Sequence, residues 1–350
     1  MRYSVIVPVY NRPDEVAELL ESLVRAGYRD FETLIVEDGS DTPCKDVVKA
    51  WEGRLDVKYF TKPNSGPGQT RNFGAERARG EWLVFLDSDV VVPPGWFEAM
   101  DKSLREMPCD AFGGPDSAHP GFSPIQKAIS FGMTSFLTTG GIRGGKARLD
   151  KFYPRSFNMG IRADVFSAVG GFTKMRFGED VDLSMRILEA GYSTRLFPEA
   201  WVWHKRRTDF RKFFRQVHGS GIARINLSKR HPGSMKAVHM LPAAFTVGVG
   251  VLALAFLAGA VLAAIGAING TGARTGLLIC GIALLPVAVY SIMIFLAALT
   301  QYRSAKVAFL AVPAAFIQLT GYGTGFLRAW WQRCVLGHGE FEVFKKNFYK

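Results

Sequence analysis

The chain has 350 residues, which is enough for two or three domains of ordinary size. Its 43 Lys and Arg against 31 Asp and Glu give a net charge of +12, which favours an anionic partner such as nucleic acid, anionic lipid or a phosphorylated substrate. The four cysteines are scattered along the chain, which argues against a disulfide framework and against a cysteine-based metal site.

The first 205 residues alternate strand patterns with helix patterns. The run YSVIVPVY is apolar and β-branched, as buried parallel strands are, and a helical pattern follows with one apolar face. FETLIVEDGSD predicts a second strand that closes on an acidic turn, GPGQTRNFGAERARG a glycine-rich helix start, and EWLVFLDSDVVV a third strand. This order predicts an α/β fold with a doubly wound, mostly parallel sheet.

Polar side chains follow each of these strands at its carboxyl end, which is where ligands bind to such sheets. They are Tyr10, Asn11, Glu37, Asp38, Asp87 and Asp89. Two carboxylates one residue apart repel each other, but a shared Mg²⁺ or Mn²⁺ removes the repulsion and commonly binds a diphosphate as well. The alternative is that Asp87 and Asp89 cap the turn before PPGW.

Residues 122–148 combine apolar residues with hydroxyls, glycines and basic side chains. One interpretation is an amphipathic segment on the membrane surface, with Arg143, Lys146 and Arg148 near a lipid phosphate. The other is a flexible lid.

The second part of the chain predicts a membrane domain at 239–328. Three runs without any charged residue, at 241–269, 275–302 and 307–327, are each long enough to cross a bilayer as a helix. The segment 206–238 before them is basic and predicts an interface with the anionic headgroups of the cytoplasmic leaflet. Because this segment explains much of the positive charge, no nucleic acid partner is expected. We therefore predict a multi-pass protein of the cell (inner) membrane with a cytoplasmic catalytic domain.

The tail at 329–350 is basic and aromatic, which favours the cytoplasmic interface. Three spans would place it on the opposite side. The third run also contains Pro313, Gln318 and three glycines, so a re-entrant segment is the alternative to a third span.

Five motifs in order resemble the inverting glycosyltransferases of family 2, which have the GT-A fold: VIVPVYNRPDEVAELLESL, VEDGSD, RNFGAERARGEWLVFLDSDVVVPPGW, NMGIRADVFSAVGGF and FGEDVDLSMRILEAGY. The resemblance covers residues 1–205. It implies a GT-A domain there that binds a nucleotide-sugar donor with a divalent metal, and transfer of the sugar to a lipid-linked acceptor in cell-envelope glycan or glycolipid synthesis. Processive members carry a Gln-x-x-Arg-Trp signature, of which FRQVHGSG retains only Gln216, so transfer of a single sugar is expected.

The resemblance also assigns roles to residues. The base and ribose of the donor are expected to contact Pro8, Tyr10, Asn11, Glu37 and Asp38. Many members have Asp where this chain has Glu37, so that contact is expected to be longer or shifted. Asp87 is expected near the ribose and metal, and Asp89 is expected to bind the metal directly.

Three further residues are placed by the same resemblance. Arg71 resembles a basic residue near the nucleotide, with pairing to a surface acid as the alternative. His204, in WVWH, matches a histidine that joins the metal in some members, with a structural histidine as the alternative. Asn158 is expected to line the pocket for the donor sugar and the acceptor.

The Glu179–Asp180 pair matters most for catalysis. Inverting transfer is a single displacement, so the acceptor hydroxyl must lose its proton as it attacks, and a carboxylate can accept that proton. The resemblance gives this role to Asp180 and places Glu179 with the donor-binding residues. Capping is the alternative, because acids favour the first turn of a helix.

Two rival functions belong to other classes. A non-catalytic nucleotide-sugar-binding membrane protein is disfavoured by the intact acidic motifs. A nucleotidyltransferase usually needs a glycine-rich and basic loop after its first strand, and PVYNRPDE lacks those glycines.

Overall fold

The computed structural model describes residues 1–117, 119, 121–140, 152–269 and 272–340. The basic residues at 143, 146 and 148 therefore lie outside the described part of the chain. The described residues form two compact units, one at 1–117, 119 and 152–205 and the other at 121–140, 206–269 and 272–340. The segment around 121–140, which the sequence places within the first domain, packs in the second unit.

The described strands form two sheets. They are β1 (Tyr3–Val9), β2 (Phe31–Asp38), β3 (Val57–Lys62), β4 (Trp82–Leu86), β5 (Val90–Val91), β6 (Ala111–Gly113), β7 (Asp116–Ser117), β8 (Asn158–Arg162), β9 (Thr194–Leu196) and β10 (Val202–His204). The larger sheet has the order β3-β2-β1-β4-β8-β6-β9, and the smaller one the order β5-β10-β7.

The described helices are α1 (Pro13–Arg25), α2 (Lys45–Lys49), α3 (Pro67–Ala75), α4 (Trp96–Glu106), α5 (Pro124–Thr134), α6 (Phe136–Thr139), α7 (Ala163–Ala168), α8 (Glu179–Glu189), α9 (Phe210–Arg230), α10 (Leu241–Ile268), α11 (Arg274–Tyr302) and α12 (Ala305–Trp330). A short 3₁₀ helix at Ala237–His239 precedes α10, and a π-helical turn at Trp331–Val335 follows α12.

The larger sheet confirms the predicted α/β architecture. Strands β3, β2, β1 and β4 are parallel neighbours, as expected for a series of strand–helix–strand units. The exception is β8, which lies antiparallel between β4 and β6. Buried side chains pack on both faces of this sheet, which explains why β1 and β4 are mostly apolar.

The helical unit contains three helices that are long and apolar enough to cross a membrane. Helices α10 and α11 pack closely at Gly259 and Gly276, where a Cβ on Gly276 would lie 2.4 Å from the Gly259 carbonyl oxygen. Helix α12 continues through Pro313 without a break. Its glycines serve close packing instead: a Cβ at Gly325 would lie 2.0 Å from the carbonyl oxygen of His218 on α9.

Candidate functional site

Strand pairing brings Asp87, Asp89 and His204 together at the carboxyl end of β4. The chain leaves β4 through the two aspartates and enters β5, which pairs antiparallel with β10 so that Val90 lies opposite His204. The backbone N–H of Lys205 donates to the carbonyl oxygen of Asp89 at 3.1 Å, which holds the two segments in register. One ligand atom from each of the three side chains lies within 4.8 Å of the other two.

His204 is held among carboxylates. Its Nε2 lies 3.1 Å from Asp89 Oδ1, its Nδ1 lies 3.8 Å from Asp116 Oδ2, and its ring stacks on Phe157 with the centroids 4.9 Å apart. Burial alone would lower the pKa of His204, but the charges of Asp89 and its neighbours raise this pKa to about 10. The imidazolium therefore supplies positive charge to an otherwise acidic cluster.

The same three side chains fit a divalent cation. Carboxylate oxygens suit Mg²⁺ and Mn²⁺. A first-row cation would take the place of the imidazolium proton, and the neutral imidazole nitrogen is then a suitable ligand. The separation of the ligand atoms allows one ion to contact all three.

Arg71 connects this cluster to the start of α8. Its side chain is 3% exposed, and its guanidinium donates to Asp87 Oδ1 at 2.6 Å and to Glu179 Oε1 at 3.2 Å. The guanidinium also lies 5.4 Å from the ring centroid of Phe172. Of the two interpretations from the sequence, the structure shows the pairing with acids, although both acids belong to the interior of the site. Burial and the neighbouring Asp180 raise the pKa of Glu179, while Arg71 opposes that shift.

Replacing Arg71 with Met should destabilise the first unit. Asp87 and Glu179 would keep their charges without a buried partner, and breaking a buried ion pair costs about 3 kcal/mol or more. The melting temperature of Arg71→Lys should lie between those of Arg71→Met and the wild type. A lysine keeps the charge, but its ammonium group lacks the forked donors that reach both acids. The measurement is the apparent melting temperature in detergent, with the exposed Arg77→Met as control. Equal melting temperatures for Arg71→Met and Arg77→Met would contradict the bridging role.

Asp180 lies in the first turn of α8 and is partly accessible. Gly178 precedes the helix with a φ of 85°, a left-handed conformation that glycine adopts without strain. Asp180 Oδ1 accepts the backbone N–H of Val181 at 2.8 Å, and Oδ2 lies 3.3 Å from Arg155 Nε. The first contact fits the capping interpretation. Because Arg155 pairs with Oδ2, an acceptor hydroxyl would have to take the place of this contact, and the role of Asp180 as base stays a prediction.

The acidic turn after β2 is tied to the protein itself. Glu37 is buried and accepts from the Cys44 N–H at 2.8 Å, the Cys44 thiol at 3.1 Å and the Tyr59 hydroxyl at 3.1 Å. Asp38 is also buried and accepts the N–H of Gly66 at 2.9 Å, just before α3. In this structure both carboxylates hold loops in place, and the nucleotide contacts expected of them stay predictions.

The turn after β1 lies beside the acidic turn. Pro8 and Tyr10 are half-buried. Asn11 adopts a φ of 55°, its N–H donates to Ser40 Oγ at 2.8 Å, and its Oδ1 accepts the N–H of Thr42 at 2.9 Å. The structure therefore brings these three residues to the same edge of the sheet as Glu37 and Asp38, as the parallel strands β1 and β2 require.

Asn158 begins β8 opposite Leu86, the last residue of β4. The side chain is 1% exposed, and its Nδ2 donates to the Ala200 carbonyl oxygen at 2.7 Å. Among the described residues, no donor reaches its Oδ1. Asn158 thus lies next to the strand that delivers Asp87 and Asp89.

Three residues near the site were not expected from the sequence. Asp116 faces His204, Arg155 pairs with Asp180, and Phe157 supports the His204 ring. None lies in a spacing pattern that predicts its partner, because each contact joins segments that are distant in sequence.

Known proteins similar to this chain carry glycosyltransferase names. The profile of "Glycosyl transferase family 2" matches residues 4–170, and that of "Glycosyl transferase family group 2" matches residues 156–317. A pre-mycofactocin glycosyltransferase from Mycobacterium tuberculosis is 31% identical over 236 residues, covering 65% of this chain and 48% of the relative. An uncharacterized glycosyltransferase from Haemophilus influenzae is 29% identical over 195 residues, covering 53% and 62%. The chain thus spans about half the length of the mycobacterial relative.

Among solved structures, the mannosyltransferase PcManGT from Pyrobaculum calidifontis, in complex with GDP-Man and Mn²⁺, resembles the chain with a TM-score of 0.57. The sequences are 16% identical, and the match covers 95% of this chain and 88% of the other. At that identity the likeness shows the fold, which agrees with the GT-A architecture expected from the sequence.

Proposed function

Because this chain belongs to glycosyl transferase family 2, we propose that it is a membrane-bound, metal-dependent inverting glycosyltransferase. It moves a single sugar from a nucleotide-sugar to a hydroxyl or phosphate acceptor that is lipid-linked, in cell-envelope glycan or glycolipid synthesis. Its catalytic GT-A domain lies within residues 1–205, without the segment 121–140 that packs in the helical unit.

The observation that carries this proposal is the cluster of Asp87, Asp89 and His204 at the carboxyl end of β4. These side chains would hold a divalent cation, and such a cation supplies positive charge against the donor diphosphate. GDP-Man and Mn²⁺, the ligands bound to PcManGT, are a pair of this kind. Arg71 keeps the Asp87 carboxylate in place through its 2.6 Å contact and fixes the start of α8 through Glu179.

The base in this proposal is Asp180. It lies in the first turn of α8, where the Val181 N–H orients one carboxylate oxygen. The other oxygen pairs with Arg155 at 3.3 Å and would accept the proton of an acceptor hydroxyl that takes the place of this contact. An acceptor that attacks through a phosphate oxygen would need no base, because that oxygen is already ionised. Arg155 would then lie near the negative charge of the phosphate.

The membrane part of the proposal follows from composition. Apolar helices of the second unit anchor the chain in the cell (inner) membrane. The basic segment 206–238 contacts anionic headgroups on the cytoplasmic side, where nucleotide-sugars are available to the catalytic domain.

The protein should remain in the membrane fraction after washes with high salt or alkaline carbonate, and it should be released by detergent. Salt screens headgroup contacts, but it does not compensate the exposure of apolar helices to water. The measurement is the distribution of the protein between pellet and supernatant. Release by salt alone would show that the helices do not insert.

The proposed activity is tested by product analysis. The detergent-solubilised protein is first screened against nucleotide-sugars with Mn²⁺ or Mg²⁺ for protection from thermal unfolding. The protecting donor is then incubated with a lipid extract as acceptor source. Released nucleoside diphosphate with a glycosylated lipid supports the proposal. Pyrophosphate would indicate nucleotidyl transfer, and protection without any product would indicate a binding protein.

A further inference from the structure

A contact in the helical unit limits how often the chain crosses the bilayer. Arg230, at the end of α9, donates to both carboxylate oxygens of Glu340, beyond α12, at 2.9 and 3.2 Å. One turn earlier on α9, Asn226 accepts a hydrogen bond from Arg333. Charged groups in contact lie outside the hydrocarbon core and on the same side of it. The chain between residues 230 and 340 must therefore cross an even number of times, which three spans cannot satisfy.

Helix α9 runs alongside the second half of α12. Val217 contacts Gly321, and the backbones meet again at His218 and Gly325, where a Cβ on the glycine would lie 2.0 Å from the His218 carbonyl oxygen. The two helices are parallel, since the Arg230–Glu340 contact continues the same order. The exposed basic residues of α9 are Arg211, Lys212, Arg215, Lys229 and Arg230. Because burying such charges in hydrocarbon is costly, α9 and the half of α12 beside it lie outside the bilayer core.

The first half of α12 is enclosed in a similar way by α5. A Cβ at Gly132 of α5 would lie 3.2 Å from the Ala314 carbonyl oxygen, so these two helices are also in close contact. Ala308, Ala311 and Ala314 of α12 are fully buried. Helix α5 is linked to α9 as well, since Gln126 donates to the backbone carbonyl of Arg206 at 3.1 Å. Apart from Phe309, which is 68% exposed, α12 has no exposed large apolar side chain before Trp330, unlike a helix that faces hydrocarbon along its length.

Helices α10 and α11 differ from α12 in this respect. They pair with each other at Gly259 and Gly276, and they expose large apolar side chains along much of their length, with Leu254 at 68% and Leu278 at 64%. Helices of 28 and 29 residues are about 42 Å long, which exceeds the roughly 30 Å of the hydrocarbon core. As an antiparallel hairpin these two helices cross the bilayer twice, which is the even number of crossings that the Arg230–Glu340 contact requires.

We infer that α10 and α11 alone cross the bilayer and that α12 lies along one membrane surface, together with α5 and α9. Its partner on that surface is the lipid headgroup layer. The exposed Trp330 and Trp331 at the end of α12 suit this position, since tryptophan favours the membrane interface. The tail through residue 340 then faces the same side as α9. This inference is independent of the proposed sugar transfer.

Cysteine labelling in oriented vesicles tests the inference, and the chain provides its own reporter in the exposed Cys334. We would replace Cys109 and Cys280 and keep the buried Cys44. This protein reports on Cys334. Two matched variants also carry Cys334→Ser, one with Thr275→Cys and the other with Gln301→Cys, which places a thiol at either end of α11. A membrane-impermeant maleimide is applied to right-side-out and to inverted vesicles, and detergent-treated samples define full labelling.

The expected result is that Cys334 and the thiol at 301 react in one vesicle orientation, while the thiol at 275 reacts in the other. Three spans predict instead that Cys334 reacts together with the thiol at 275, and this outcome would overturn the inference. Labelling of all three thiols from one side would overturn it as well, because α10 and α11 would not cross. A Cys334 that reacts only in detergent would place the tail inside the bilayer, which equally contradicts the proposal.

Discussion

Asp180→Asn is expected to reduce sugar transfer by about a hundred- to ten-thousand-fold, equivalent to roughly 3 to 5 kcal/mol of barrier, while donor affinity changes little. Asparagine preserves the shape of the side chain and can still accept the N–H of Val181, but it cannot accept a proton. The measurement is the transfer rate at saturating donor, together with a melting curve.

The neighbouring Asp182→Asn is the matched control, because Asp182 is buried and its Oδ2 accepts from Thr173 at 2.7 Å and pairs with Arg186 at 3.0 Å. This variant should lower the melting temperature and leave the rate per folded enzyme close to normal. If Asp180 only caps the helix, Asp180→Asn should change neither the rate nor the stability much, since Asn favours helix starts as well as Asp does. Near-normal turnover in Asp180→Asn would therefore exclude it as the base.

Arg155 separates two kinds of acceptor. If a hydroxyl attacks, losing Asp180 should stop the reaction whatever happens at Arg155. If a phosphate oxygen attacks, the Asp180→Asn enzyme should retain activity, and Arg155, which lies 3.3 Å from Asp180, would be the more important residue. The same rate measurement thus distinguishes the two chemistries left open in the proposed function.

The elements that the sequence predicted well are those with strong local periodicity. Val16, Leu19, Leu20 and Leu23, predicted on one face of the first helix, are all buried in α1. The apolar runs 241–269 and 275–302 correspond to α10 and α11 within one residue at each end. In these segments the pattern of apolar residues repeats within a few positions of the chain. The pattern therefore predicts directly that α1 buries one face and that α10 and α11 have no polar face.

The parts that could not be predicted depend on contacts between distant segments. Arg71 pairs with Glu179 across 108 residues, and nothing near either residue in the sequence identifies the other. The antiparallel insertion of β8 between β4 and β6 has the same cause, because a five-residue strand carries no signal for its neighbours. The two interpretations of 122–148, a membrane-surface segment and a lid, do not identify α12 as the helix on which α5 packs.

The glycines of α12 show how one pattern can support two interpretations. Helix propensity alone suggests a broken, re-entrant helix, because glycine and proline are poor helix formers. The residues concerned are Pro313, Gly321, Gly323 and Gly325. In the structure the helix is continuous, and each glycine instead allows a neighbouring backbone or side chain to approach. Close packing compensates the low propensity, so the sequence alone favours neither interpretation.

Asp89→Ala is expected to abolish the part of nucleotide affinity that depends on a divalent cation. Asp89 supplies one of three ligand atoms that lie within 4.8 Å, and without it the diphosphate charge would be compensated poorly. Because loss of an outer contact to a metal site costs about 10- to 100-fold, loss of a direct ligand should cost about 100-fold or more. The measurement is calorimetry with UDP and GDP, with and without Mn²⁺, on the detergent-solubilised protein.

Asp116→Asn is the matched control, because Asp116 faces the other nitrogen of His204 at 3.8 Å and lies outside the three-residue cluster. Because asparagine keeps an oxygen that can accept from His204, the loss of Mn²⁺-dependent affinity should stay at the lower end of that range, about tenfold. An equal loss in both variants would assign the effect to the orientation of His204 instead of to metal binding by Asp89. A wild-type protein that binds the nucleotide equally well with and without Mn²⁺ or Mg²⁺ would refute the metal site itself, since no role for Asp89 as its ligand would then remain.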